Sequence, residues 1–197
     1  EPRPDVDLPK VEHLDLTALL VRHDTPGSGA ALRCTTEANV RPESEMPLDE
    51  RVLADAWPII AAGGRIARTY AICNRDRTVG ARLAGEIARL RGEAGFAPGT
   101  IDLRFTGTAG QSFGAFCTAG MSLTLRGDAQ DYVAKSMHDG TIVIAQPADC
   151  PVESHLTTIV GNTVLYGATG GEVFIAGRAG ERFCVRNSGA TAVVEGC

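Results

Sequence analysis

The run Gly99-Thr-Ile-Asp-Leu-Arg-Phe-Thr-Gly107, followed by Gly120-Met-Ser-Leu-Thr-Leu-Arg-Gly127 and Gly140-Thr-Ile-Val-Ile144, decides the architecture. In each, a glycine opens a short segment whose apolar residues alternate, the period of a strand with one buried face. Gly99 to Gly120 is 21 residues, Gly120 to Gly140 is 20, and Gly171 to Gly189, which leads into Ala190-Thr-Ala-Val-Val194, is 18. A second glycine often closes the segment, as at Gly107, Gly127, Gly177 and Gly196. A spacing near 20 without a helical period marks a solenoid. The chain turns at each glycine, where a positive φ is demanded, and lays each strand on its predecessor. One such coil cannot bury its inner face, so neighbouring coils stabilise one another. The expected fold class is mainly β: a right-handed parallel β-helix with an amino-terminal α/extended arm and one flanking helix.

Further strands are expected at Val164-Leu-Tyr166, Val173-Phe-Ile175, Phe183-Cys-Val185 and Ala192-Val-Val194, with Pro147 to Thr158 as a loop projecting from the coil. Toward the amino terminus, Ile66, Arg68, Tyr70 and Ile72 alternate with small residues, so Arg65 to Cys73 reads as a strand. Thr78 to Arg91 reads as a helix: Val79, Leu83, Ile87 and Leu90 form one stripe, Thr78 is a suitable N-cap and Gly92 a stop. Leu48 to Ala62 is a second helix, with Leu48, Val52, Ala56 and Ile59 on one face and Gly63-Gly64 ending it. Before it, Pro2, Pro4 and Pro9 favour extended backbone. A short apolar piece follows at Leu14, Leu16, Leu19 and Leu20, and then a loop at Thr25 to Gly29. Two regions result: residues 1–64, a linker or arm with short helices, and residues 65–197, the glycine-rich β domain.

Composition agrees. Glycine supplies 23 of 197 residues, about 12% against a typical ~7%, as tight turns between short strands require. The net charge is −5 and the only lysines are Lys10 and Lys135, so the basic footprint of a nucleic-acid binder is missing and an anionic membrane surface is disfavoured. No apolar run approaches the ~20 residues of a membrane helix. The chain opens on Glu1 without an initiator Met or apolar signal segment, which reads as a processed chain or a piece of a longer one. The six cysteines, Cys34, Cys73, Cys117, Cys150, Cys184 and Cys197, contain no Cys-x-x-Cys pair. Free thiols of a cytoplasmic protein are expected rather than a disulfide framework or metal site.

Several strings, in order, resemble a known family: Asn74-Arg-Asp-Arg-Thr-Val-Gly-Ala-Arg82, Gly107-Thr-Ala-Gly-Gln-Ser-Phe-Gly-Ala115, Gly127-Asp-Ala-Gln-Asp-Tyr-Val133, Ile159-Val-Gly-Asn-Thr-Val-Leu-Tyr-Gly-Ala-Thr-Gly-Gly171 running into Ala176-Gly-Arg-Ala-Gly-Glu-Arg-Phe183, and Val185-Arg-Asn-Ser-Gly-Ala-Thr-Ala-Val-Val-Glu-Gly196. They are similar to the glycine-motif β-helix at the carboxy end of the glutamate synthase large subunit, over about residues 70–196. The resemblance implies a parent enzyme that turns glutamine, 2-oxoglutarate and reductant into two glutamates. Its amidotransferase domain would begin with a nucleophilic cysteine, and its synthase domain would hold FMN and an iron–sulfur cluster. It implies for this chain a scaffold role without cofactor, with other domains or subunits of the enzyme as partners and an oligomer as a possible assembly. Two departures stand out. Ala134, Ser136 and Asp139 occupy places where the family tends to have glycine, which bears on local turn geometry. The chain stops at Cys197 where the family continues with further coils, so the β domain reads as shortened.

No residue is expected to be catalytic, cofactor-binding or metal-binding. The loops Gly107-Thr-Ala-Gly110 and Gly167-Ala-Thr-Gly-Gly171 could cradle phosphate in principle, but a dinucleotide fingerprint needs a following helix, and strands follow here. His138 beside Asp139, and His155 two residues after Glu153, fit solvated surface groups better than acid–base catalysts. Asn162 and Asn187 fall at corresponding glycine-flanked corners, where a buried amide side chain bonds turn backbone. Arg178, Arg182 and Arg186 read as a solvated or domain-contacting edge. The rival reading is a free-standing β-helix interaction subunit of a multi-subunit oxidoreductase, as in formylmethanofuran dehydrogenase, and an independent enzyme has no residue constellation behind it.

Overall fold

The computed structural model describes residues 15–19 and 46–197. Two units are distinguished, Glu1–Glu43 and Ser44–Cys197. In the first, residues 17–19 form a turn closed by the Leu19 N–H on the Leu16 carbonyl at 2.9 Å. The expected extended backbone around Pro2, Pro4 and Pro9, and the loop at Thr25 to Gly29, lie outside the described residues.

The second unit is mainly a parallel β-sheet with two helices. Helix α1 spans Leu48–Ala61 and buries Leu48, Val52, Ala56 and Ile60. The stripe closes on Ile60 rather than Ile59, because a strict spacing of four keeps one face through the last turn. Gly63, at φ +82°, ends the helix in the left-handed conformation expected of such a stop. Helix α2 spans Ala81–Arg91 and buries Leu83, Ala84 and Ile87. Its start corrects the expected one. Thr78 takes a positive φ and turns its hydroxyl onto the Arg77 carbonyl, so it caps nothing. The cap comes instead from α1: Asp49 Oδ1 accepts the Gly80 N–H at 2.6 Å and Oδ2 the Arg82 N–H at 3.2 Å. A carboxylate at a helix N-terminus meets orphan donors and the positive end of the dipole. Glu50 pairs with Arg82 at 2.7 Å beside it.

Six strand positions run parallel: β1 Ile66–Ile72, β2 Ile101–Ala109, β3 Met121–Ala129, β4 Thr141–Ala145, β6 Glu172–Ala179 and β7 Thr191–Gly196 pair in that order. Register matches position to position, with Leu103 on Leu123, Leu123 on Ile142 and Ile142 on Val173. Strand β5, Thr158–Val160, does not occupy a place of its own. Its Val160 pairs with Ala129 of β3, beyond the reach of β4, and β6 pairs with β4 through Ala176 and with β5 from Arg178. Strands β4 and β5 are therefore two halves of one strand, and residues 146–157 leave and return between them. The projecting loop is as expected, except that Thr158 already belongs to β5.

The expected strands Val164–Tyr166 and Phe183–Val185 are turns. In the segments 112–116, 132–136, 163–167 and 182–186 every second residue has positive φ: Ser112, Gly114 and Phe116; Tyr132, Ala134 and Ser136; Thr163, Leu165 and Gly167; Arg182, Cys184 and Arg186. The donors alternate in direction. Tyr132 and Ser136 give their N–H groups to Asn162 and Tyr166 in the following layer, and Ala134 gives its own to Phe113 in the preceding one. Thr163, Gly167 and Leu165 repeat this onto Glu181, Val185 and Val133. Short apolar runs do not distinguish a strand from such a buried corner, which is why the two segments read as strands. Ala134 and Ser136, where glycine was expected, keep the left-handed conformation at φ +57° and +53°, a cost of about 1–2 kcal/mol per residue set against the interlayer bond.

The core lies between the inner sheet face and these corners. Phe105 meets Phe113 edge-on at 5.3 Å and stacks on Tyr70 at 5.7 Å. Leu123, Leu125, Val133, Met137, Ile142 and Ile144 continue the core, all fully buried. Within the sheet, Gly107 has φ +128° and a Cβ there would overlap the Ile72 carbonyl oxygen; Gly127 stands in the same relation to Gly107.

Asp49→Ala is expected to lower stability by about 1–3 kcal/mol, because the buried Gly80 N–H and the part-buried Arg82 N–H lose their acceptor, while Asp49→Asn keeps most of it. Burial pushes the Asp49 carboxyl above 3.8, with the two N–H groups opposing. A raised carboxyl holds its proton more tightly in the fold, so its stabilising contribution is full below 3.8 and is lost as pH rises through the raised value. Urea unfolding across that window should show this slope in the unsubstituted chain and not in the Asn variant. By the same method Ser136→Gly should gain about 1 kcal/mol, and Gly107→Ala should lose about 1–3 kcal/mol.

Candidate functional site

The glycine loops are consumed by packing. The Gly110 N–H donates to the Asp76 carbonyl at 3.0 Å, and a Cβ at Gly110 would stand 2.6 Å from the Asn74 carbonyl oxygen. In the loop from Gly167 to Gly171, the Gly167, Ala168 and Thr169 N–H groups donate to the carbonyls of Val185, Leu165 and Met137. Strand β6 follows directly. A phosphate cradle needs converging free N–H groups and a helix N-terminus; here the Gly110, Gly167 and Thr169 donors are spent on neighbouring layers and that of Ala168 within its own corner.

The two described histidines, His138 and His155, bond different partners. Exposed His138 meets the Thr169 hydroxyl through Nδ1 at 3.2 Å, and Asp139 turns its carboxylate onto the Gly140 N–H at 2.6 Å. His155 and Glu153 approach to 3.5 Å, both well exposed. Asn162 bonds turn backbone as expected, although it is exposed rather than buried, within a ladder the sequence reading missed: Asp131 Oδ1 accepts the Asn162 N–H at 2.7 Å, and Asn162 Oδ1 accepts the Glu181 N–H at 2.8 Å. Asn187 is not its counterpart. It lies past the last corner, where its Oδ1 accepts the Gly189 and Ala190 N–H groups and its Nδ2 donates to the Ala190 carbonyl. Of the three arginines, Arg186 lies over the Tyr166 ring at 5.9 Å, Arg178 belongs to β6 and Arg182 to the corner before Phe183. They do not converge.

Two of the thiols, Cys117 and Cys184, are held in the protonated form. Burial pushes Cys117 up to about 12, and the Asp139 charge adds to this against the Thr118 N–H. Burial also raises Cys184. Cys73, exposed, directs its sulfur at Asp76 Oδ2 at 3.3 Å, and the same oxygen accepts the Cys73 N–H at 2.9 Å. The low-pKa environment of a nucleophilic cysteine is the opposite of what surrounds Cys117 and Cys184. Among the described residues no three His, Cys, Asp or Glu side chains gather as metal ligands. No described helix is long and apolar enough to cross a membrane.

A cavity of about 710 Å³ lies between the start of α1 and the end of β1 and includes Arg51, Cys73, Arg75 and Asp76. A second, about 550 Å³, follows the glycine corners at Gly99, Gly120 and Gly140, with Asp139 and Glu172 on its rim. The first brings the exposed Cys73 thiol onto the Asp76 carboxylate; the second shows no such pair. The Asp49 cap and the alternating corners were invisible in the sequence, the first because its partners are some thirty residues apart, the second because ordinary residues carry it.

The GXGXG motif family profile matches residues 49–197. The NADPH glutamate synthase large chain of Azospirillum brasilense is 48% identical over 187 residues, 95% of this chain and 12% of that protein. The ferredoxin-dependent glutamate synthase 1, chloroplastic/mitochondrial, of Arabidopsis thaliana is 46% identical over 195 residues, 98% of this chain and 12% of that protein. The ferredoxin-dependent glutamate synthase of Pyropia yezoensis is 55% identical over 151 residues, 76% of this chain and 10% of that protein. The chain thus spans about an eighth of the first two relatives.

In the folded chain, iodoacetamide at pH 8 is expected to modify exposed Cys73 and Cys197 at least about 100-fold faster than Cys117, with Cys117 reacting only on unfolding. Peptide mass mapping after timed quenching would measure this, and rapid native labelling of Cys117 would contradict its burial.

Proposed function

Since the chain belongs to the GXGXG motif family and matches glutamate synthase large chains along nearly its whole length, we propose that it is the carboxy-terminal scaffold domain of such an enzyme and catalyses nothing alone. The observation that carries this reading is the match of 95% of the chain to only 12% of a relative. The parent's reaction in this reading is glutamine plus 2-oxoglutarate plus reductant to two glutamates. The scaffold role is supported by how the polar groups are spent: glycine loops, corner amides and the Asp131–Asn162–Glu181 ladder bond layer to layer. In-register parallel strands and stacked corners support a parallel β-helix. In this reading residues 65–197 are the glycine-motif domain and residues 1–64 its approach segment, of which α1 docks on α2.

FMN and the iron–sulfur cluster belong to other parts of the parent. The dispersed thiols here, one of them pushed up to about 12, do not suit a cluster, and the engaged glycine loops do not suit a flavin phosphate. The partners are then the amidotransferase and synthase domains, with an oligomer as the working assembly. We place the parent in the cytoplasm on the free thiols; the Arabidopsis relative is named chloroplastic/mitochondrial. A free-standing interaction subunit is the second reading, favoured only if the reading frame encodes no catalytic domains.

The direct test is to assay the purified chain with glutamine, 2-oxoglutarate and an electron donor, and to record its absorption spectrum. Glutamate formation at background and an absence of flavin or iron–sulfur bands are expected. Turnover above background, or a bound cofactor, would overturn the scaffold reading.

A further inference from the structure

The outward side chains of the sheet form columns across the strands. One column runs Thr69, Arg104, Thr124, Val143, Phe174, Val193. Its neighbour runs Ala71, Thr106, Arg126, Ala145, Ala176. Both change character at β4. In these two columns the first three strands, Ala71 apart, present hydroxyls and guanidinium groups to solvent, as an open sheet face should; the outward column Asp102, Ser122, Thr141, Glu172, Thr191 stays polar throughout. From β4 onward the same positions are aliphatic or aromatic, with Phe174 37% and Val193 54% exposed. Residues 146–157 bring Val152 and Leu156 to this end of the sheet, 48% and 64% exposed, and rejoin it where the Arg178 N–H meets the Thr157 carbonyl at 2.8 Å.

We propose that this outer face of β4, β6 and β7 is the docking surface for another domain of the same large polypeptide, one that presents an apolar patch. The proposal rests on the glutamate synthase reading. The area selects the occupant. These side chains together offer on the order of a few hundred Å², well short of the ~800 Å² per partner of a stable interface between separate chains. A second copy of this chain would not be held by it. A covalently tethered domain would, because the tether supplies an effective concentration that a small apolar contact can use. The relatives provide such a source, since this chain matches only 12% of their length.

The test compares the 197-residue chain with the full-length large chain that contains it. In the full-length chain, amide exchange across β4, β6 and β7 is expected to be at least about tenfold slower than in the shorter one, a comparison that needs no variant. Phe174→Ser with Val193→Ser should leave the melting of the 197-residue chain nearly unchanged, since both side chains point outward. In the full-length chain the pair should speed proteolytic separation of this region about tenfold. Equal exchange in the two unsubstituted chains, or unchanged cleavage, would overturn the docking inference and leave the glutamate synthase reading standing. A dimer of the 197-residue chain that the Ser pair abolishes would assign the face to a second copy and overturn it too. A reading frame with nothing beyond this region would overturn both.

Discussion

Each layer depends on corner N–H groups finding carbonyls in the layers on either side. Within a corner, alternation of left- and right-handed residues points successive positive-φ amides in opposite directions. Ala134 donates backward to Phe113, while Tyr132 and Ser136 donate forward to Asn162 and Tyr166. A corner in isolation would hold several left-handed residues at about 1–2 kcal/mol each with buried donors unpaired, which costs more. It exists only because its neighbours exist. The sheet obeys the same logic, and the two ladders fix the same spacing on opposite sides of one core.

That dependence assigns the helices their place. The carboxylate of Asp49, itself only 6% exposed, reaches from α1 to the first amides of α2. The Thr78 N–H donates to the Gln111 carbonyl and the Val79 carbonyl accepts from Gly114. The approach to α2 thus imitates a corner and supplies the first layer with a neighbour. Desolvation raises the Asp49 carboxyl while two amides oppose it, so one residue trades solvation for the positioning of two elements.

What could be read in the sequence follows from periodicity. Glycines about twenty apart placed β2, β3, β4, β6 and β7, and the stripes of α1 and α2 were correct except that Ile60 replaces Ile59 and Leu90 is exposed. The corners were not legible, because Val164-Leu-Tyr166 and Phe183-Cys-Val185 have the apolar character of strands and their handedness is imposed by neighbouring layers. The start of α2 was misplaced because its cap comes from Asp49, distant in sequence. The candidate site residues were legible as turn and surface groups one at a time, as with Asn162. The ladder from Asp131 to Glu181 was not, since stacking alone aligns its members, and Asn187 was wrongly matched to Asn162 because flanking glycines do not encode which corner they flank.

The interruption between β4 and β5 has a consequence for how such a chain can vary. Ala145 and Thr158 are held opposite Ala176 and Arg178, separated on β6 by Gly177 alone. The register on both sides is therefore set by β6 and not by the length of what lies between. Residues 146–157 can lengthen, shorten or change composition without moving another strand. The seam is a port at which new sequence can be grafted onto an otherwise rigid stack.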